Sequence, residues 1–127
     1  MTHDDVPAPP SELVRFVELF NSGDFFEAHE VLERPWREHR SPTYKALILF
    51  ASLFVHARRG NPRGVQKQAT KVLGALSALP AQHLGIDLAA LARTTRRFEQ
   101  AARDGSFRQL LAAEAPQLAI DWRMGSL

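Results

Sequence analysis

His29, Glu30 and Glu33 lie close together in "FEAHEVLERPW", residues 26–36. An imidazole with two carboxylates is a residue set that holds a divalent metal or moves protons. Residues four apart on a helix are surface neighbours, so His29 and Glu33 meet if this stretch is helical. "HEVLE" carries the first two anchors of the H-E-x-x-H zinc motif, in which two imidazoles one turn apart bind the ion and the glutamate acts as base. Here Glu33 stands where the second histidine would be. A carboxylate still ligates zinc, iron or manganese, but one histidine and one carboxylate are too few for a site. The expected further ligand is His56, which follows the apolar run "ALILFASLFV" and so falls at the core end of its helix. If His29, Glu33 and His56 converge, Glu30 is placed as base toward a metal-bound water, with Trp36 and Arg37 at the pocket wall. His3, His39 and His83 stand in leader, turn and linker contexts and are weaker ligand candidates. The simpler reading of the same residues is a satisfied core edge: a helical histidine hydrogen-bonded to a glutamate one turn on, beside a tryptophan.

These side chains need a helix to hold them, and the punctuation of the chain supplies several. Ser11, after Pro9 and Pro10, is the expected cap of a first helix reaching Asn21, with Leu13, Val14, Phe16, Val17 and Phe20 as its apolar stripe. Gly23 stops it. Asp24 is the expected cap of the second helix, with Glu27 at capping-box spacing near the positive helix end. At 100° per residue, Phe25, Ala28, Leu32 and Trp36 share the inward arc. His29 and Glu33 fall at its edge, and Glu27, Arg34 and Glu38 lie opposite. Pro35 is expected to kink or restart this helix. Ser41-Pro42 and Asn61-Pro62 are cap and first-turn signals for a third helix closed by Gly60 and a fourth reaching about Leu79 before Pro80. Gly85 or Asp87 opens a fifth, "DGS" at 104–106 ends it and caps a short sixth, and Pro116 breaks that one. "LAIDWRM" is then a last turn packing Ile120 and Trp122 on the body. No run alternates as a half-buried strand does. The expected fold is therefore all-α, a compact bundle of five to six antiparallel helices built from helical hairpins. The Gly-plus-cap pairs at Gly23, Gly60 and Gly105 are spaced by 37 and 45 residues, which is not a repeat period.

Composition bounds the rest. With 127 residues and 45% hydrophobic content, the chain is expected to form one domain over 11–127 after a disordered acidic, proline-rich leader at 1–10. The absence of cysteine removes disulfides and thiolate chemistry, and with no signal-peptide layout the expected address is cytoplasmic. The apolar run is about half the roughly 20 residues a membrane span needs, so no membrane partner is expected. The net charge of +2 is uneven: residues 1–40 hold nine acids against four arginines, whereas 41–127 hold twelve Lys and Arg against five acids. Arg63, Lys67 and Lys71, each four apart, form one cationic stripe with Arg58 and Arg59 nearby, a surface able to contact an anion. Without interleaved aromatics for base stacking, a nucleic-acid partner is disfavoured. No Gly-rich phosphate loop or nucleophile elbow supports nucleotide hydrolysis or acyl transfer.

"FNSGDFFEAHEVLERPW", followed by "LILFASLFVHARRGN" and the glycine and alanine of "PRGVQKQA", resembles a family of small bacterial and archaeal proteins known as domain of unknown function 309. The match combines G-D-x-x-E-A-H-E-x-x-E-x-x-W with a second block ending in H-x-x-R-G-N and covers about residues 13–80. The resemblance implies a compact helical fold and places the family's characteristic positions at Glu27, His29, Glu30, Glu33, Trp36, His56, Gly60 and Asn61. It implies no activity. This chain departs from the family pattern at Leu49, where a glutamine is usual, and at Pro35; Leu49 makes any pocket between the second and third helices drier.

The expectation is thus a helical protein with no assignable reaction, whose His/Glu pocket takes a metal or small ligand. A divalent ion is the candidate cofactor. The alternatives are an interaction module, self-associating or meeting another protein through Trp122, Leu127, Phe98 or Phe107, and an anion binder acting through the basic helix.

Overall fold

In a computed structural model of the protein, which describes residues 8–122, the cap signals become helix starts wherever a side chain can reach the backbone. Helix α3 spans Pro42–Arg58, and the Ser41 hydroxyl accepts from the Tyr44 N–H. Helix α4 spans Pro62–Leu76, with Asn61 accepting from the Gly64 N–H. Helix α5 spans Leu88–Asp104, with Asp87 accepting from Ala90. In each case a donor that the first turn leaves open is satisfied. The other starts differ from expectation. Helix α1, Ser11–Asn21, begins inside the expected cap: Pro10 holds the cap position, Ser11 is already helical, and the Pro10 carbonyl closes the first turn. Asp24 does precede α2, Phe25–His39, but its carboxylate makes no cap hydrogen bond.

Helix α2 runs without a break through Pro35. The proline removes one ladder hydrogen bond, and packing on both sides of it, at Leu32 and Trp36, keeps the helix in one piece. Helix α4 ends at Leu76, three residues before the expected Leu79. Between α4 and α5 the chain forms a short hairpin that the hydrophobic pattern did not announce, with β1 at Gln82–His83 and β2 at Ile86–Asp87 pairing antiparallel, Gln82 opposite Asp87. Leu84 and Gly85 between them both have positive φ, the geometry of a tight two-residue hairpin turn. Strands of two residues are too short for alternation to register. Helix α6 spans Phe107–Ala113 after Gly105 ends α5 in a left-handed conformation.

The helices pack in chain order, α1 on α2, α2 on α3, α3 on α4 and α4 on α5, with α6 closing against α5 and α3. Turns of two or three residues join most of them, so neighbours run antiparallel. The all-α reading holds, as six helices and one minimal hairpin among the described residues. Helix α3 is central and buries residues around its circumference, from Thr43 and Tyr44 to Phe54 and Ala57. That explains its unbroken apolar run; no helix among the described residues is long and apolar enough to cross a membrane. Phe20 touches the rings of Phe16, Phe25, Phe50 and Phe54, and Phe54 continues to Phe98 at 4.9 Å between centroids. Phe98 and Phe107 are buried in this core, which excludes them from the candidate interface anchors.

The segment after α6 is held without regular structure. The Asn21 side chain donates to the Leu118 carbonyl and accepts from the Leu118 N–H, both at 2.8 Å, and Asp121 N–H donates to the Gly85 carbonyl. Ile120 packs on the core as expected, and Trp122 is half-buried with its indole N–H shielded from solvent. Residues 115–121 form a strap without regular structure, tied at Leu118 by Asn21 and at Asp121 by Gly85, and Trp122 is helical; the rest of the expected last turn lies outside the described residues. His3, Leu127 and most of the expected leader lie outside the described residues.

Candidate functional site

Helix α2 turns Phe25, Ala28 and Leu32 into the core, as its period requires. His29 and Glu33 follow at the edge, their side chains 21% and 30% exposed, while Glu30 reaches into solvent at 58%. His29 Nε2 lies 3.4 Å from a Glu33 oxygen and Nδ1 lies 3.9 Å from a Glu30 oxygen. One ligand atom from each of the three residues falls within 4.8 Å of the other two. Nδ1 is shielded from solvent and makes no hydrogen bond, so one nitrogen of a half-buried imidazole is unsatisfied. The ring stacks on Phe26, 6.0 Å away between centroids. Glu33 also faces Arg37, with Nη1 at 3.7 Å.

His56 is not part of this cluster. It sits at the corner between α3 and α4, where its Nδ1 accepts from the Asn61 side-chain amide at 3.3 Å. Its ring lies so close to Gly64 that a Cβ there would approach Nδ1 to 2.3 Å. Burial, then the positive charges of Arg59 and Lys67, hold its pKa below the ordinary 6.5, so the neutral ring that accepts from Asn61 is favoured. Of the residues singled out in the sequence, the structure thus brings His29, Glu30 and Glu33 together, while His56 packs a corner. Helical spacing could pair His29 with Glu33 but could not say where another helix would carry His56.

Several other motif residues also hold corners. The Trp36 ring lies beneath two cations, Arg40 at 4.5 Å and Lys45 at 4.4 Å, tying the end of α2 to the start of α3. It supports that turn, and Arg37 beside it pairs with Glu33. Arg58 donates to the Gly23 carbonyl and stacks over Phe25 at 4.5 Å, fixing the α1–α2 turn against α3. Arg108 covers Gly60, where a Cβ would meet its guanidinium. Leu49 packs half-buried against the core. His83, in β1, is bonded through Nδ1 to buried Thr43 at 2.7 Å, and His39 is the exposed last residue of α2. The roles of Arg58, Arg108 and Asn21 had no local signal, since each acts on a turn or strap remote in sequence.

Arg63, Lys67 and Lys71 lie exposed on α4, and among the described residues no ion pair engages them. Arg58 is excluded from that stripe by its bond to Gly23. Tyr44, which donates to Glu12 at 3.0 Å, has its pKa raised by burial and then by that carboxylate, so it remains a neutral structural phenol.

These features define an all-helical protein whose framework is locked at its corners by histidine, arginine and tryptophan, leaving a His/Glu cluster on the outer edge of its second helix. Residues 13–68 match the model of a family described as a domain of unknown function, DUF309, so the family resemblance read from the sequence holds over that span. The match takes in α1 to α3 and the first half of α4 and stops short of residue 80. No curated protein matches the chain.

Proposed function

We propose that the protein is a binding protein with no reaction of its own, and that the His29, Glu30 and Glu33 edge of α2 takes a divalent cation. The observation that carries this reading is the approach of one donor atom from each residue to within 4.8 Å of the others, beside an imidazole nitrogen with no hydrogen bond. One imidazole and two carboxylates suit zinc, manganese or ferrous iron. Three ligands from a single helix leave further coordination positions for water or a small ligand. Arg37 faces the Glu33 oxygen that His29 does not, so the carboxylate is shared between the cation and the guanidinium. Ligation requires a deprotonated imidazole, so uptake weakens on acidification. In this reading residues 11–127 act as one cytoplasmic domain.

The test is calorimetric titration of untagged protein with zinc, manganese and ferrous ions, paired with thermal-shift measurements. One ion per chain is expected, lost in His29→Gln and Glu33→Gln and kept in His56→Gln. Absence of heat and of any thermal shift with all three ions refutes the reading.

A second reading rests on a separate observation, that Arg63, Lys67 and Lys71 are exposed on a helix without acids and have no ion pair among the described residues. It predicts anion contact that weakens steeply with salt. Failure to retard any nucleic acid or polyanion in a low-salt gel would dispose of it.

A further inference from the structure

We propose that the shallow groove between α1 and α2 docks a lysine- and arginine-rich amphipathic helix of a partner protein, seating an apolar side chain against Phe26. The groove has a volume of about 420 Å³ and is lined by Leu19, Phe26, Glu27, Glu30 and Val31. Phe26 is 50% exposed, and it is the large hydrophobic side chain that the described surface leaves in water. Its exposure follows from the helix period: Phe25 turns inward, and the next residue is rotated about 100° away from the core. Leu19 and Val31, both half-buried and packed on the core, extend the apolar floor beneath it. Two antiparallel helices with an apolar seam between them form the kind of groove in which an amphipathic helix lies.

Charge decides which occupant fits. Glu27 has no ion-pair partner among the described residues, and Glu30 faces only His29, at 3.9 Å. The arginines of α1 and α2 are already committed: Arg15 to Glu18, Arg34 to Glu38 and Arg37 to Glu33. The groove therefore presents an apolar floor under two carboxylates, Glu27 with no ion pair among the described residues and Glu30 with only the imidazole of His29 at 3.9 Å. A wholly apolar occupant would strip water from both without compensation, a costly arrangement. A partner with cations flanking an apolar knob satisfies floor and rim together, and its encounter is sped by the opposite charge.

A second copy of this chain does not meet those demands. Two-fold pairing would set Glu27 and Glu30 against their own copies. Head-to-tail pairing would offer the stripe of Arg63, Lys67 and Lys71, which no exposed large apolar side chain accompanies among the described residues. The occupant is thus another protein.

The probe is a fluorescein-labelled helical peptide of about 18 residues, long enough to hold helix, with leucines on one stripe and lysine and arginine elsewhere. Anisotropy titration against the full chain gives affinity, and amide shift mapping gives the place. Binding is expected to perturb Leu19, Phe26, Glu27 and Val31, to weaken with salt, and to fall at least about tenfold in Phe26→Ser and in Glu27→Lys. A peptide with glutamate replacing the cations should not bind. Neither residue belongs to the His29, Glu30 and Glu33 cluster, so cation uptake unchanged in Glu27→Lys keeps this test separate from the one above. Perturbations mapping elsewhere, no binding, or equal affinity in both variants at unchanged thermal stability would overturn the proposal.

Discussion

Gly64 and Gly74 lie in the same helix, and alanine should act on them with opposite signs. A Cβ at Gly74 meets nothing within 4 Å, and the residue is exposed in the helix interior. Gly74→Ala should therefore gain about 0.5–1 kcal/mol from reduced chain entropy and better helix propensity. At Gly64 the same Cβ would stand 2.3 Å from His56 Nδ1, 2.6 Å from His56 Cγ and 2.7 Å from Asn61 Nδ2. Relief requires the imidazole to swing out, breaking its contact with Asn61. Overpacking costs about 1–3 kcal/mol and the hydrogen bond about 1, against a propensity gain of about 1 at most. The net is a loss of about 1–3 kcal/mol, or roughly 3–5 °C of Tm for each kcal/mol in a chain of this size. Urea and thermal unfolding of both variants measure the difference. His56→Ala removes the obstructing ring, so the double variant His56→Ala/Gly64→Ala should be more stable than the sum of the single effects allows, by more than about 1 kcal/mol. If Gly64→Ala is as stabilising as Gly74→Ala, or if the two sites add, the seating of His56 on α4 is refuted.

The same histidine makes stability depend on pH. Its folded pKa lies below the ordinary 6.5, so the unfolded chain binds the proton more readily, and the contribution is full above about pH 6.5 and lost as pH falls below it. The drop in urea midpoint between pH 7.5 and 5.5 should be smaller in His56→Gln; an equal drop would place the titration elsewhere. Asn21→Ala removes both hydrogen bonds that hold the Leu118 backbone, so it should cost about 1–2 kcal/mol and speed proteolytic cleavage near residues 115–121. An unchanged cleavage rate would mean that packing alone holds the strap.

Sequence by itself determined the helices. Ser41-Pro42, Asn61-Pro62 and Asp87 marked starts because a cap acts within three residues of itself. The inward face of α2 followed from the 3.6-residue period, and with it the edge position of His29 and Glu33 and their mutual approach. These are local relations, fixed by spacing along one helix. The short hairpin at 82–87 escaped because it is held by two-residue pairing and a turn with positive φ, which leave no periodic trace.

Only the tertiary structure decided which partners meet across elements. It took His56 away from His29 and laid it on Gly64, and it buried Phe98 and Phe107 while leaving Phe26 in water. It also set Arg58 over the Gly23 turn, Arg108 over Gly60, and the Asn21 amide around Leu118, 97 residues away. Each contact depends on how helices are placed relative to one another, and that placement is set by the packing of the whole phenylalanine core. A side chain's spacing from its neighbours in sequence therefore carries the geometry of its own helix and none of the distance to the next.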